Sequence, residues 1–126
     1  MRDIDRDGKG SRLILMAKQY AVVIGVAYVV VALLELLLKT FSLGTLPVLF
    51  HTPVHNLIHW ATGLAGLGAA YYMAGKYAMA FAQIVGVVFS LVTILGFVTP
   101  DLLANLLGYQ VNMVYNLVHL VTGVWG

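Results

Sequence analysis

After Lys18 the chain runs for 108 residues with four formal charges, Glu35, Lys39, Lys76 and Asp101. A domain dissolved in water needs a charged exterior, so a chain with this charge distribution and 61% hydrophobic residues must be solvated by lipid. Its apolar stretches fall at residues 17–38, 54–73, 77–98 and 111–126, all close to the ~20 residues that cross a hydrocarbon core about 30 Å thick. The expected fold is an all-α transmembrane four-helix bundle. No A-x-A-like site follows the first run, which reads as a full span and not as a cleaved signal peptide. The last span covers only about 24 Å at about 1.5 Å per residue, so a continuation beyond Gly126 is expected.

Cations set the direction of the spans. Arg2, Arg6, Lys9, Arg12 and Lys18 precede the first span and Lys76 lies between the second and third, against Lys39 alone on the other side. Cytoplasmic flanks carry the excess of Lys and Arg, which puts both termini in the cytoplasm. Residues 1–16 are then a polar cytoplasmic tail, and the mixed charges around Gly8 and Gly10 point to a disordered segment near anionic headgroups. The net charge of +2 comes from the first 18 residues, and no nucleic-acid partner is expected. With no cysteine, thiolate catalysis and cysteine-ligated metal sites drop out.

Ala74, Gly75 and Lys76 make a tight turn, whereas residues 40–53 and 99–110 are long, leucine-rich and expected to lie along the membrane surface. Thr99, Pro100 and Asp101 read as N-cap, N1 and N2 of a short helix whose Leu102, Leu103, Leu106 and Leu107 share one face. Glu35 precedes Lys39 by four residues, the favourable order for an ion pair at the membrane interface; a proton-handling or partner-binding carboxylate is the alternative.

Residues 54–66 align with residues 114–126 at an offset of 60, with seven of thirteen positions identical. The preceding helices align at an offset of 61, Gly25-Val26-Ala27-Tyr28 with Gly86-Val87-Val88-Phe89. The chain therefore reads as two tandem hairpins, residues 17–73 and 77–126, related by a pseudo-two-fold axis along the membrane normal. Along the second helix Asn56, His59, Gly63, Gly66 and Ala70 recur at steps of three and four, as do Asn112, Asn116, His119, Gly123 and Gly126 along the fourth. In lipid such a stripe turns inward, glycines permitting close approach and polar groups bonding across helices. Thr62 and Thr122 can bond to the carbonyl one turn back. The second and fourth helices are expected to face the interior, one arrangement being against each other, with His59 and His119 at similar depth.

From about Lys18 to Gly126 the chain resembles a group of small bacterial four-helix membrane proteins of uncharacterised function. Its signature is Asn-x-x-His-x-x-x-Gly on the second and fourth helices, matched here by Asn56, His59 and Gly63 and by Asn116, His119 and Gly123. A Gly-Val-x-aromatic on the first and third is matched by Gly25 to Tyr28 and by Gly86 to Phe89. The group often has a polar or acidic residue just before the second Asn-x-x-His, where this chain has Tyr115. The resemblance implies the fold and brings no activity with it.

His59 and His119 are the candidate site residues. In the plainer reading each satisfies a buried helix contact through its paired Asn, and no cofactor is bound. In the sharper one they are axial ligands of a b-type haem or of chlorophyll, the glycines making room for a flat ring. The absence of Arg near the outer surface leaves haem propionates without partners. A metal ion would lack nearby carboxylates. His55 and His51 read as interfacial residues, and Gln83, Ser90 and Thr93 as hydrogen-bonders between helices. The function expected is that of a non-enzymatic membrane protein, either a free-standing small bundle or homo-oligomer, or a structural or accessory subunit of a larger respiratory, photosynthetic or transport complex. It would lie in a bacterial cytoplasmic membrane or a photosynthetic membrane; a haem- or chlorophyll-binding subunit is the alternative.

Overall fold

The computed structural model describes residues 2–41, 52–108 and 111–126, and side chains from residue 8 onward. The described residues are helical almost throughout and contain no strand. Helix α1 spans Arg2–Thr40, α2 Pro53–Tyr71, α3 Ala78–Val98, α4 Pro100–Leu107 and α5 Met113–Trp125, with a short 3-10 segment, Tyr72–Gly75, between α2 and α3. Two segments, Gly8–Thr40 and Ala78–Val98, are long and apolar enough to cross a membrane.

The tail is not the disordered segment expected: α1 runs unbroken from Arg2 through Gly8 and Gly10. Once a long apolar helix is nucleated, each further residue adds a hydrogen bond for one residue fixed, which offsets the cost of two glycines. Between α2 and α3, Met73 (φ 46°) and Ala74 (φ 59°) take the left-handed conformation together with Gly75 (φ 88°). Gly75 is buried there against the aliphatic stem of Lys18.

At the opposite end Thr99 does not cap α4 with its side chain; its hydroxyl bonds back to the Leu95 carbonyl at 3.4 Å. The four leucines of α4 also divide, Leu103 turning inward while Leu102 and Leu106 are exposed. The helix ends at Gly108 in the left-handed conformation, where glycine bears no steric penalty. Asn112, assigned above to the polar stripe, is the N-cap of α5, accepting from the Tyr115 amide at 3.1 Å. Thr52 caps α2 in the same way through the His55 amide at 3.3 Å, and its hydroxyl donates to the Leu107 carbonyl at 3.0 Å. Expectations for His51 and the rest of 42–51, and for Tyr109 and Gln110, lie outside the described residues.

Helix α1 packs along α2 and α3 along α5, while α1 against α3 joins the two pairs; α2 and α3 touch sparingly despite the turn between them. The main partners of α2 and α5 are thus α1 and α3, not each other, because the glycine stripes fit the glycines of the preceding helix. A Cβ on Gly25 would lie 3.0 Å from the Gly63 carbonyl, and one on Gly66 3.0 Å from the Gly25 Cα. In the other pair, a Cβ on Gly86 would lie 3.2 Å from the Gly123 carbonyl, and one on Gly126 2.8 Å from the Gly86 Cα. These contacts recur at the offsets of 60 and 61 found in the sequence. Tyr20 ties the pairs together, its hydroxyl donating to the Thr122 carbonyl at 2.7 Å and its ring meeting Trp125 edge-on at 5.3 Å.

Large apolar side chains cover the outside as well as filling the core, and polar groups are buried among them. Glu35, His55, His59, Thr93, Asn116, His119 and Thr122 are buried, while Val23, Val26, Val30 and Leu33 on α1, Ile84, Val87 and Leu91 on α3, and Leu117, Val121 and Val124 on α5 are exposed.

Candidate functional site

The buried polar groups gather toward the end of the molecule opposite the Tyr72–Gly75 turn. Glu35 lies one turn before the end of α1, His55 and His59 occupy the first two turns of α2, and Asn116 and His119 the first two of α5. Exposures of 1% for Glu35, 3% for His55, 5% for His59 and 4% for His119 place all four inside the helices.

Glu35 anchors the group. One carboxylate oxygen accepts a hydrogen bond from Asn56 Nδ2, which also donates to the Ala32 carbonyl at 3.2 Å; the other lies 3.5 Å from Nδ1 of His59. This corrects the interfacial reading of Glu35: the carboxylate is turned into the interior against α2, because Asn56 and His59 present polar atoms there. It also redirects Asn56, which serves the α1 carboxylate and backbone, not the histidine in its own motif. Asn116 has no carboxylate to meet. Its Oδ1 rests on the Cα of Gly96 without a hydrogen-bond donor, and Gly96 stands 61 positions after Glu35. The two Asn-x-x-His motifs are therefore unlike where they touch the preceding helix, an acid in one pair and a glycine in the other.

His55 is likewise not an interfacial residue. Its imidazole lies 4.4 Å from that of His59 and 6.4 Å from that of His119, centroid to centroid. His59 meets Tyr28 at 5.3 Å, Tyr28 meets Phe89 at 5.4 Å and Phe89 meets His119 at 5.3 Å. Five rings thus form a closed circuit of tilted and edge-on contacts, the geometry that aromatic quadrupoles favour. Tyr115 joins it from outside, 6.4 Å from His55. The Tyr28 hydroxyl reaches Thr122 Oγ1 at 3.4 Å, and Thr122 bonds back to the Val118 carbonyl at 2.9 Å.

Two cavities flank the circuit. One of about 180 Å³ lies among α1, α2 and α5, and one of about 350 Å³ among α2, α3, α4 and α5; His55, His59 and His119 line both. Ile24, Ala27 and Val31 of the smaller correspond at an offset of 61 to Val85, Val88 and Val92 of the larger. Thr122 of the smaller likewise corresponds to Thr62, which is half-buried on the wall of the larger. Tyr28 and Tyr115 both line the smaller cavity, where the counterpart positions of the larger carry Phe89 and His55.

Other assignments fare differently. Thr93 bonds its own helix at the Phe89 carbonyl, 2.8 Å away, and Gln83 is exposed. Ser90 packs where a Cβ on Gly123 would strike its amide. Among the described residues no three His, Asp or Glu side chains converge closely enough to hold a metal ion. Glu35 and His55 were the residues missed. The repeat offset carries the signal for both, since it places Glu35 opposite Gly96 and His55 opposite Tyr115, positions where the two halves diverge in chemistry.

No protein-family model, curated protein or solved structure matches the chain.

Proposed function

We propose that this chain is a non-enzymatic integral membrane protein, a four-helix bundle of two duplicated hairpins with both termini in the cytoplasm. In this reading it acts as an accessory subunit of a larger assembly in a bacterial cytoplasmic or photosynthetic membrane. The observation that carries the reading is an apolar exterior of valine, leucine and isoleucine around a core that buries a carboxylate, three imidazoles and an asparagine. Water would favour the opposite arrangement; hydrocarbon favours this one, because ionisable groups in a bilayer face the bundle interior and pair there. Membership of the group whose Asn-x-x-His signature the chain carries belongs to the same proposal and rests on those residues alone. Alkaline washing of membranes followed by native sizing in mild detergent tests it. The protein should stay with the bilayer and migrate well above the 13.7 kDa of its chain. Release by the wash would refute integration, and migration as a bare monomer would refute the accessory role.

A second reading, ligation of haem or chlorophyll, draws support from the Glu35–His59 pair. A metal-ligating histidine usually gives its other ring nitrogen to a carboxylate, which fixes the tautomer. The ring circuit opposes ligation by His59 and His119 together, since His55, Tyr28 and Phe89 already close the path between them. An absorption spectrum separates the two readings: bound tetrapyrrole absorbs strongly in the visible and protein does not.

A further inference from the structure

We infer that the larger cavity, among α2, α3, α4 and α5, is a binding site for the headgroup of a lipid-soluble quinone; the inference rests on the membrane reading above. Its volume, about 350 Å³, is at the lower end of the range of ~300–1,000 Å³ for small-molecule sites, which suits one substituted ring. The walls are aliphatic on α3 and aromatic at Phe89, with polarity confined to His55, His59, His119 and Thr62. An apolar chamber with a few convergent polar groups is the usual form of a ligand site.

The chemistry of those groups narrows the ligand. A neutral imidazole offers one N–H donor and one acceptor nitrogen, so it can serve a ketone oxygen and a phenolic hydroxyl equally well. A flat ring bearing oxygens in either state matches this set, whereas a cation or a phosphate would need fixed countercharge, and Glu35 is already committed to Asn56 and His59. Access points the same way. Ile84 and Val88 on the cavity wall are 64% and 48% exposed on the apolar flank of α3, and α3 touches α2 only sparingly. A ligand entering there comes from the bilayer, and its hydrophobic tail can remain in it. The smaller cavity shares the three imidazoles, but at about 180 Å³ it falls below the size range of small-molecule sites.

Titration of the protein in lipid nanodiscs with decylubiquinone, followed by quenching of Trp60 and Trp125, tests the site. The wild type should quench along a saturable curve. Ile84→Phe, which narrows the mouth from the exposed side, should weaken binding at least tenfold. Leu117→Phe, an exposed change on α5 outside either cavity, should leave the affinity unchanged. Quenching that rises linearly and equally in all three proteins would show partition into lipid alone and overturn the site. Saturable binding indifferent to Ile84→Phe would overturn its location, and a tetrapyrrole in the purified protein would overturn the ligand class. A chain that stays in alkaline-washed membranes yet quenches linearly refutes this inference only; a chain released by the wash refutes the reading beneath it.

Discussion

The carboxylate of Glu35 faces Nδ1 of His59 at 3.5 Å across the α1–α2 contact, with Asn56 bonded to its second oxygen. Each of these buried polar groups meets another inside the bundle, which is how ionisable groups persist away from water. Glu35→Gln retains an oxygen acceptor for Asn56 and is expected to change stability by less than about 0.6 kcal/mol, the average for one interhelical hydrogen bond in a bilayer. Glu35→Leu removes both partners' bonds and should cost about 1–2 kcal/mol, measured by denaturation in mixed micelles. Equal stability of the Leu variant would mean that the triad does not hold α1 on α2.

The glycine contacts predict a sharp contrast along α2. A Cβ on Gly63 would meet the Val29 amide at 2.8 Å, whereas one on Gly68 meets nothing within 4 Å. Gly63→Ala should destabilise by about 1–3 kcal/mol through overpacking. Gly68→Ala should be neutral or stabilising by up to ~1 kcal/mol, since alanine is the better helix former. Gly123→Ala should behave as Gly63→Ala does, because its Cβ would lie 2.6 Å from the Ser90 amide. Thermal unfolding in detergent of the three variants side by side is the check.

In the turn between α2 and α3, Ala74 holds φ 59°. That conformation costs an alanine about 1–2 kcal/mol, of which glycine recovers most and loses ~0.5–1 kcal/mol in chain entropy. Ala74→Gly should therefore raise stability by about 0.5–1 kcal/mol in the same unfolding assay.

His119 packs edge-on to Phe89 and lines both cavities. If no pigment is bound, His119→Gln and His59→Gln should both give folded, colourless protein with melting temperatures a few degrees lower at most. A visible band in the wild type that disappears in either variant would establish the pigment-binding alternative.

The helices, the tight turn and the inward glycine stripes were legible in the sequence because each is a local pattern or a repeat, whereas the helix each stripe meets was not. Asn56, His59, Gly63 and Gly66 are spaced to share a helix face whatever packs on it, and the two copies reinforced one another. The carboxylate was not legible. Glu35 four residues before Lys39 has the spacing of a surface ion pair, and only the rotation of α1 against α2 puts it beneath Asn56. His55 posed the same difficulty, since a residue one turn from a helix start can face headgroups or core equally well. Asn112 was misplaced because an N-cap asparagine falls in register with the stripe that follows it. The disordered tail was a compositional inference, overridden by propagation from the apolar helix behind it.

A bilayer-spanning bundle with its turn inside is open to labelling of single cysteines with a membrane-impermeant maleimide, against the clean background of a chain without cysteine. Ala74→Cys lies in the exposed turn between α2 and α3, and Asn105→Cys lies on the exposed side of α4. Intact spheroplasts should label Asn105→Cys at once and Ala74→Cys only after permeabilisation. Labelling in the reverse order, or equal labelling of both before permeabilisation, would rule out this topology.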